Sequence, residues 1–449
     1  MAIPYPAPPP PHALRQDPGA GPVTSAASGQ ANDEAWVAQV NYVKRKIRSE
    51  LSLPDWQKYG FGSQRAAEFE GLAAMGDDPP GGVARESAAL SLEDFWEKYE
   101  KPGRPCLIAG IPAAQQWPAC KKWSLESFFK KHGKSSFKVG KDDDGGTIRL
   151  RADHFEQYMK MQKDDSPVYL FDNHFKHEKK ELLRDYQVPP YFPDDFMALA
   201  GDDRPPYRWI GIGPKRSGTV MHQDPLCTSA WNTLLLGRKL WLLLPPATPK
   251  RVAKGKDVML PDDDDEACNH FLDLLPRKRA RRDPDFHPTI CVQYPGETIY
   301  VPGNWWHCVL NLDDTIAVTQ NYVGRHNFAK VWRSCREERP CWSRRWLRNM
   351  EAYAPELASE VARINSQDGF DMEVRRQLNR RRLLAHRERR AQRALKSARK
   401  RAARKGATLD EEAWWSERKK DEEEVNSDST ASSTSSSDSD SGGSSTSSA

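Results

Sequence analysis

Long apolar runs are missing from this 449-residue chain. Nothing approaches the ~20 consecutive apolar residues that a membrane-spanning helix requires, and no apolar stretch at the start resembles a signal peptide. The eight cysteines contain no Cys-x-x-Cys pair or other zinc spacing. A reducing, soluble, intracellular setting without membrane contact is therefore expected. Hydrophobic residues make up only 38% of the chain, so one main folded body of roughly 300 residues is expected, with both ends disordered. The acidic run Asp262 to Glu266 lacks the spaced ligands and the glycine of a calcium loop and reads as solvated loop.

What is present is a split set of metal-ligating residue types. In the segment Arg216 to Pro225, His222 and Asp224 flank Gln223, and the period of two in a short strand puts them on one face. Downstream, Pro295-Gly296 opens a turn, Glu297 to Val301 is a strand, and Pro302-Gly303-Asn304 is a second turn delivering Trp305, Trp306 and His307. His307 lies 83 residues beyond Asp224, a separation suited to strands that meet across a barrel. Two imidazoles and one carboxylate leave coordination positions open on an iron, as oxidation chemistry requires. No ligand role is assigned to His270, His287 or His326, and the tryptophans, Trp305 and Trp306 included, read as packing.

A second group of residues could complete such a site. Leu234 to Leu244 reads as one apolar strand interrupted by Arg238 and Lys239, and at least one of these cations points inward if the strand is buried. An unpaired buried ammonium is costly, and a dicarboxylate would neutralise it. Further on, Thr315, Ala317, Thr319 and Asn321 share a face that is expected to line a barrel lumen.

With these residues in view, the chain resembles the Jumonji-C branch of the Fe(II)- and 2-oxoglutarate-dependent oxygenases, and within it the members that both demethylate arginine and hydroxylate lysine. The resemblance covers roughly residues 36 to 350 and includes Leu53 to Trp56, Asp165 to Tyr169, Pro205 to Trp209, Thr228 to Asn232 and Gly303 to His307. Gln223 and Cys227 depart from the family pattern without removing a ligand. The resemblance implies a mainly β fold with flanking helices, a double-stranded β-helix of the cupin or jelly-roll type with helical segments at either end. It implies Fe(II) held by His222, Asp224 and His307, with 2-oxoglutarate and dioxygen as co-substrates. It further implies that Lys239, Thr319 and Tyr169 bind the distal carboxylate of 2-oxoglutarate, while Asn232 and Thr219 lie near its chelating end. The reaction it implies is lysyl side-chain hydroxylation of nuclear, RNA-associated, splicing-regulatory proteins with basic tracts. Methyl-arginine demethylation, of histones or other proteins, is the alternative. A catalytically inactive nucleic-acid-binding scaffold is the contrasting class, and the intact ligand set argues against it.

The expected organisation is a Pro/Ala/Gly-rich leader over 1–33, a helical and mixed support segment over 34–175, the barrel over 176–340, a helical segment over 341–372, a basic arm over 373–406 and an acidic, Ser-rich tail over 407–449. Helices are expected over Val37 to Leu51, from a Ser91 cap to Tyr99, over Ser124 to His132 and over Ala152 to Gln162. The basic run Arg277 to Arg282 reads as a nuclear-import signal or a patch for acidic partners. Trp342 and Trp346 are four apart on a helix-like stretch and are expected to form an apolar face for a homodimer or higher oligomer. From Arg375 to Lys405 there are fifteen Lys or Arg against the single acid Glu388, an electrostatic footprint for RNA or another polyanion. The nucleus is the expected compartment.

Overall fold

The computed structural model describes residues 27–375 except Lys176, with scattered positions between 377 and 412. Its centre is a pair of facing sheets. One half consists of β6 (Arg208–Gly213), β8 (Ser229–Leu236), β11 (Glu297–Val301) and β13 (Thr315–Tyr322), and the other of β7 (Gly218–His222), β9 (Lys239–Leu244), β10 (Thr289–Gln293) and β12 (Trp306–Asn311). The smaller sheet runs β10-β9-β12-β7. The larger is widened to seven strands by β1 (Ala84–Ser87), β2 (Cys106–Ala109) and β5 (Leu170–Asp172), in the order β1-β2-β11-β8-β13-β6-β5. Every pairing in the two sheets is antiparallel except β1 with β2. A separate hairpin pairs β3 (Ser136–Lys141) with β4 (Thr147–Arg151). The eight central strands are the double-stranded β-helix that the sequence led us to expect, and the three added strands come from residues before 176.

The space between the sheets is filled by Leu107, Trp241, Leu243, Cys291, Ile299, Val301 and Val309. The alternate residues of the smaller sheet, Leu240, Leu242, Leu244, Ile290, Cys308 and Leu310, pack outward against Phe61, Phe69 and Phe271. Strand β9 is therefore buried on both faces, which is why its sequence shows a continuous apolar run and no alternation.

Two expectations about these strands are corrected. Leu234 to Leu244 is two strands, because Gly237 adopts φ +76 and a side chain there would meet the Asp314 carbonyl. Arg238 consequently sits in the turn that crosses from the larger sheet to the smaller one and forms a bidentate pair with Asp313, leaving Lys239 as the inward cation. The two histidines also do not meet across the barrel: β7 and β12 are neighbours in one sheet, with His222 and His307 in direct register.

Helices cover the outer faces. Helix α1 (Ala27–Ile47) starts inside the stretch expected to be leader and stops short of Leu51. Ser91 and Ser124 cap the helices that follow them, each accepting from the backbone N–H three residues on. Helices α2 (Leu125–His132) and α3 (Ala152–Met161) present Phe128, Phe129, Phe155 and Tyr158 to the outer face of the larger sheet. Beyond the barrel, α4 (Phe328–Glu338), α5 (Pro340–Tyr353) and α6 (Pro355–Gln367) form a bundle. Trp342 and Trp346 do share a face, with ring centroids 5.1 Å apart, but together with Trp332 they are buried inside this bundle. They are core of the chain's own fold and not the external dimer face expected from the sequence.

The segment between β9 and β10 is also more structured than expected. The acidic run is tied down by Arg48–Asp264 at 2.6 Å, Arg48–Glu266 at 3.6 Å and an Arg277–Asp263 pair. Burial pushes the Glu266 carboxyl up to about 7 despite its approach to Arg48. Within the basic run, Lys278 pairs with Asp257 at 2.6 Å, Arg281 also reaches Asp257, and Arg279 pairs with Asp78. Arg48 and Asp78 tie the two runs to the body of the fold, and the remaining pairs, Arg277–Asp263, Lys278–Asp257 and Arg281–Asp257, brace the segment internally. Most of the basic arm and all of the terminal Ser-rich tract lie outside the described residues.

Candidate active site

The sheet register brings His222, Asp224 and His307 together: their ligand atoms lie within 4.8 Å of one another. His222 Nε2 and His307 Nε2 stand 3.9 and 4.0 Å from the same Asp224 oxygen, too far for hydrogen bonds. An ion with bonds of about 2.0–2.2 Å to N and O would bridge such gaps. The Nδ1 atom of His222 is 2.7 Å from the Val220 carbonyl and that of His307 is 3.0 Å from the Trp305 carbonyl. A carbonyl only accepts, so each Nδ1 carries the proton and each Nε2 presents a lone pair. His222 keeps 35% of its side chain open at the mouth, yet burial of the ring, helped by the neighbouring His307, lowers its pKa to about 4. The neutral imidazole a metal requires is thus already favoured.

Asp224 is delivered by an unusual turn. Leu226 and Cys227 both adopt φ +58, the left-handed region, although neither is glycine. Each such residue costs roughly 1–2 kcal/mol. Burial of Leu226 among Val323, Phe328, Val331 and Trp332 offsets this, since a fully buried leucine contributes about 1.5–3 kcal/mol. The turn is closed by Thr228, whose N–H and hydroxyl both donate to the Pro225 carbonyl. Gly303, in the turn before His307, leaves room for the Cys227 carbonyl, which a side chain would meet at 2.2 Å. Gln223 donates to the Asn304 carbonyl at 2.6 Å, joining the two ligand-bearing segments.

Deeper in the barrel, Lys239 is 2% exposed and donates to the Tyr169 hydroxyl at 3.0 Å. No carboxylate pairs with it among the described residues. Thr319, opposite Asn232 in the β13–β8 register, donates its hydroxyl to the Trp231 carbonyl at 2.8 Å. Its proton is thus directed to the backbone and its lone pairs remain for a donor. Thr219 Oγ1 and Asn232 Oδ1 are buried without a hydrogen-bond partner, each a cost of about 1–3 kcal/mol if nothing joins it. An ammonium without a counter-charge and the unpartnered Thr219 hydroxyl, which can donate, fit a small dianion better than an apolar filling; the Asn232 amide would face an anion through its NH2 and not through its oxygen. Of the eight residues singled out in the sequence, His222, Asp224 and His307 form one cluster, Lys239 and Tyr169 a hydrogen-bonded pair, and Thr319 and Asn232 register partners, while Thr219 lies on the strand that carries His222. Sequence reasoning missed Gly211, whose absent side chain admits the Tyr169 hydroxyl, and the Leu226-Cys227 turn. No glycine or asparagine marks that turn, so its conformation left no signal in the sequence.

Two imidazoles and a carboxylate on a double-stranded β-helix whose interior also holds a buried, hydroxyl-bonded lysine are the residue set of a non-haem oxygenase of the 2-oxoglutarate type. Residues 209–322 match the family described as JmjC domain, hydroxylase. The chain is 37% identical over 339 residues to the Caenorhabditis elegans protein named bifunctional arginine demethylase and lysyl-hydroxylase psr-1, covering 74% of this chain and 82% of that one. It is 37% identical over 246 residues to arginine-specific demethylase JMJ22 of Arabidopsis thaliana, covering 54% of this chain and 46% of that protein. With the human 2-oxoglutarate and iron-dependent oxygenase JMJD4 it shares 28% identity over 291 residues, 58% of this chain and 66% of the other. The chain belongs to the JmjC hydroxylase family, and it is a 2-oxoglutarate-dependent dioxygenase.

Proposed function

We propose that the chain hydroxylates lysyl side chains in nuclear, RNA-associated proteins that carry basic tracts, with His222, Asp224 and His307 holding Fe(II). The observation that carries the site assignment is the ligand-ready pair of imidazoles above a buried, carboxylate-free Lys239. The substrate class rests on the likeness, over most of its length, to a relative whose name includes lysyl-hydroxylase. Bound iron with 2-oxoglutarate and dioxygen would supply the oxidising power for a C–H bond, one oxygen atom going to the substrate and the other to succinate as carbon dioxide leaves. The protein's own share is binding and order. Lys239 and Tyr169 would fix the distal carboxylate of the co-substrate, with Thr319 accepting from Lys239. Thr219 and Asn232 would meet its other end, and the Nδ1–carbonyl bonds would keep both imidazoles aimed.

Arginine demethylation is the second reading, favoured by the names of two of the relatives. The two share one chemistry, because a hydroxyl placed on an N-methyl carbon collapses with loss of the methyl group while one on a lysyl carbon persists. RNA contact through Arg375 to Lys405 would bring the enzyme to RNA-associated substrates. Incubating the chain with Fe(II), 2-oxoglutarate and unmodified or methylated basic peptides, then localising mass changes by fragmentation, tests the proposal. Gain of one oxygen on lysine is expected. Loss of methylene alone would replace hydroxylation by demethylation, and no change on any peptide would count against both.

A further inference from the structure

The C-terminal helices meet the metal-ligand cluster at the turn that follows Asp224, where α4 packs on Pro225 to Cys227. We propose that Leu226 is a positioning residue: anchored in the C-terminal bundle, it holds this turn in the left-handed form that aims the Asp224 carboxylate at the two imidazoles. The proposal rests on Asp224 being a metal ligand.

Four observations carry it. Two consecutive non-glycine residues at φ +58 do not persist unless their surroundings impose that form. The hydrogen bonds of the turn fix its closure and not the placement of Leu226: Thr228 binds the Pro225 carbonyl, and Asn321 donates to the Thr228 hydroxyl at 2.9 Å. The Leu226 side chain, 5% exposed, belongs to the same apolar cluster as Val323 and the α4 residues Phe328, Val331 and Trp332, and α4 packs on this turn. On the opposite side, the Cys227 carbonyl fills the space left by Gly303, so the turn cannot relax toward the His307 segment. Loss of the Leu226 anchor leaves relaxation of the two backbone angles as the available response, and Asp224 begins the relaxed segment. A bundle that supplies no ligand would thus decide how well the metal is held.

The test is a Co(II) titration of the full chain followed by visible ligand-field absorption, alongside thermal unfolding without metal. Leu226→Ala is expected to weaken Co(II) binding at least tenfold and to change the absorption envelope as the carboxylate leaves. Leu226→Met, which refills the pocket, should return the affinity to within threefold of the parent. Val361→Ala, buried in the same bundle on α6, should lower the unfolding temperature and leave Co(II) affinity within threefold. Wild-type affinity in Leu226→Ala, or an equal loss in Val361→Ala, would overturn the proposal. If Leu226→Ala does not fold, Leu226→Val replaces it, since its β-branch resists the left-handed region while keeping most of the apolar volume, and the same loss is expected. Asp224→Ala separates the two levels: retained Co(II) affinity there overturns the ligand assignment and the proposal with it, whereas an unchanged Leu226→Ala overturns the proposal alone.

Discussion

His222 and His307 are register partners on adjacent antiparallel strands, their rings 4.1 Å apart between centroids and inclined by 54°. A ladder between neighbouring strands is among the stiffer supports a fold offers, so the spacing of the two imidazoles is set by the backbone. The third donor and the co-substrate floor depend on more individual side chains, and the predictions concern these and the segments around them.

Lys239→Ala should raise the KM for 2-oxoglutarate at least tenfold while leaving metal affinity within about threefold, because it removes a charge partner and not a ligand. It should also leave the metal-free protein as stable as the parent or more so, since a buried ammonium without a counter-charge is a burden to the fold. The additional thermal shift that 2-oxoglutarate produces over Mn(II) alone should disappear. Equal losses in metal and co-substrate affinity would show that Lys239 supports the barrel instead.

Gly211→Ala places a methyl 2.5 Å from the Tyr169 hydroxyl and should push the phenol off Lys239. A rise in the 2-oxoglutarate KM of roughly fivefold is expected, similar to that of Tyr169→Phe, with the double variant no worse than either single one. Coupling of this kind marks residues acting through one contact, and simple additivity would show that they act separately.

Glu100 is buried and accepts from the Tyr322 hydroxyl at 2.9 Å. Burial raises its carboxyl to about 7, above the ordinary 4.5. A raised folded-state pKa means stability that is fully present below about 4.5 and lost as pH climbs through about 7. Glu100→Gln, which mimics the protonated form, should therefore be more stable than the parent at pH 8, by on the order of 2 kcal/mol, and close to it at pH 5. Thermal unfolding of both proteins at the two pH values reads this directly, and a gap that does not change with pH would remove the titration from the account.

A chain ending after Val374 should bind RNA much more weakly, and with a shallower salt dependence, than the full chain, while oxidising a short peptide at nearly the same rate. The cut must not fall earlier. Asp368 pairs with Arg333 and Arg336, and Glu373 pairs with Arg344 at 2.6 Å, so both belong to the bundle. Filter binding at two salt concentrations beside succinate release measures both halves, and unchanged RNA affinity would take the arm out of the mechanism.

The metal set was legible in the sequence because its signals are local: a period of two around His222 and Asp224, and turn residues flanking a β-rich segment before His307. Lys239 was legible as a cation in an apolar run. That the run divides at Gly237 was not, since a lone glycine within hydrophobic sequence is as compatible with a bulge in one strand as with a crossing between sheets. The fate of Trp342 and Trp346 was hidden for a different reason. Periodicity identifies an apolar face but not what covers it, and here the cover is α4 and α6 of the same chain. The pairing of Arg48 with Asp264, residues 216 apart in sequence, likewise has no local signature.

The burial of Lys278, 1% exposed and locked to Asp257, has a bearing on cellular addressing. A receptor that reads a basic peptide in extended form would find at 277–282 a helix ending at Arg281, with Arg277, Lys278, Arg279 and Arg281 already paired. Reading it would require the segment between β9 and β10 to come away from the barrel. Were the folded enzyme to be carried into the nucleus by a basic stretch of its own, Arg375 to Lys405, which holds its densest positive charge, would be the better placed of the two. Grafting each basic stretch separately onto a fluorescent carrier would misjudge the first, because an isolated peptide lacks the carboxylates that silence it.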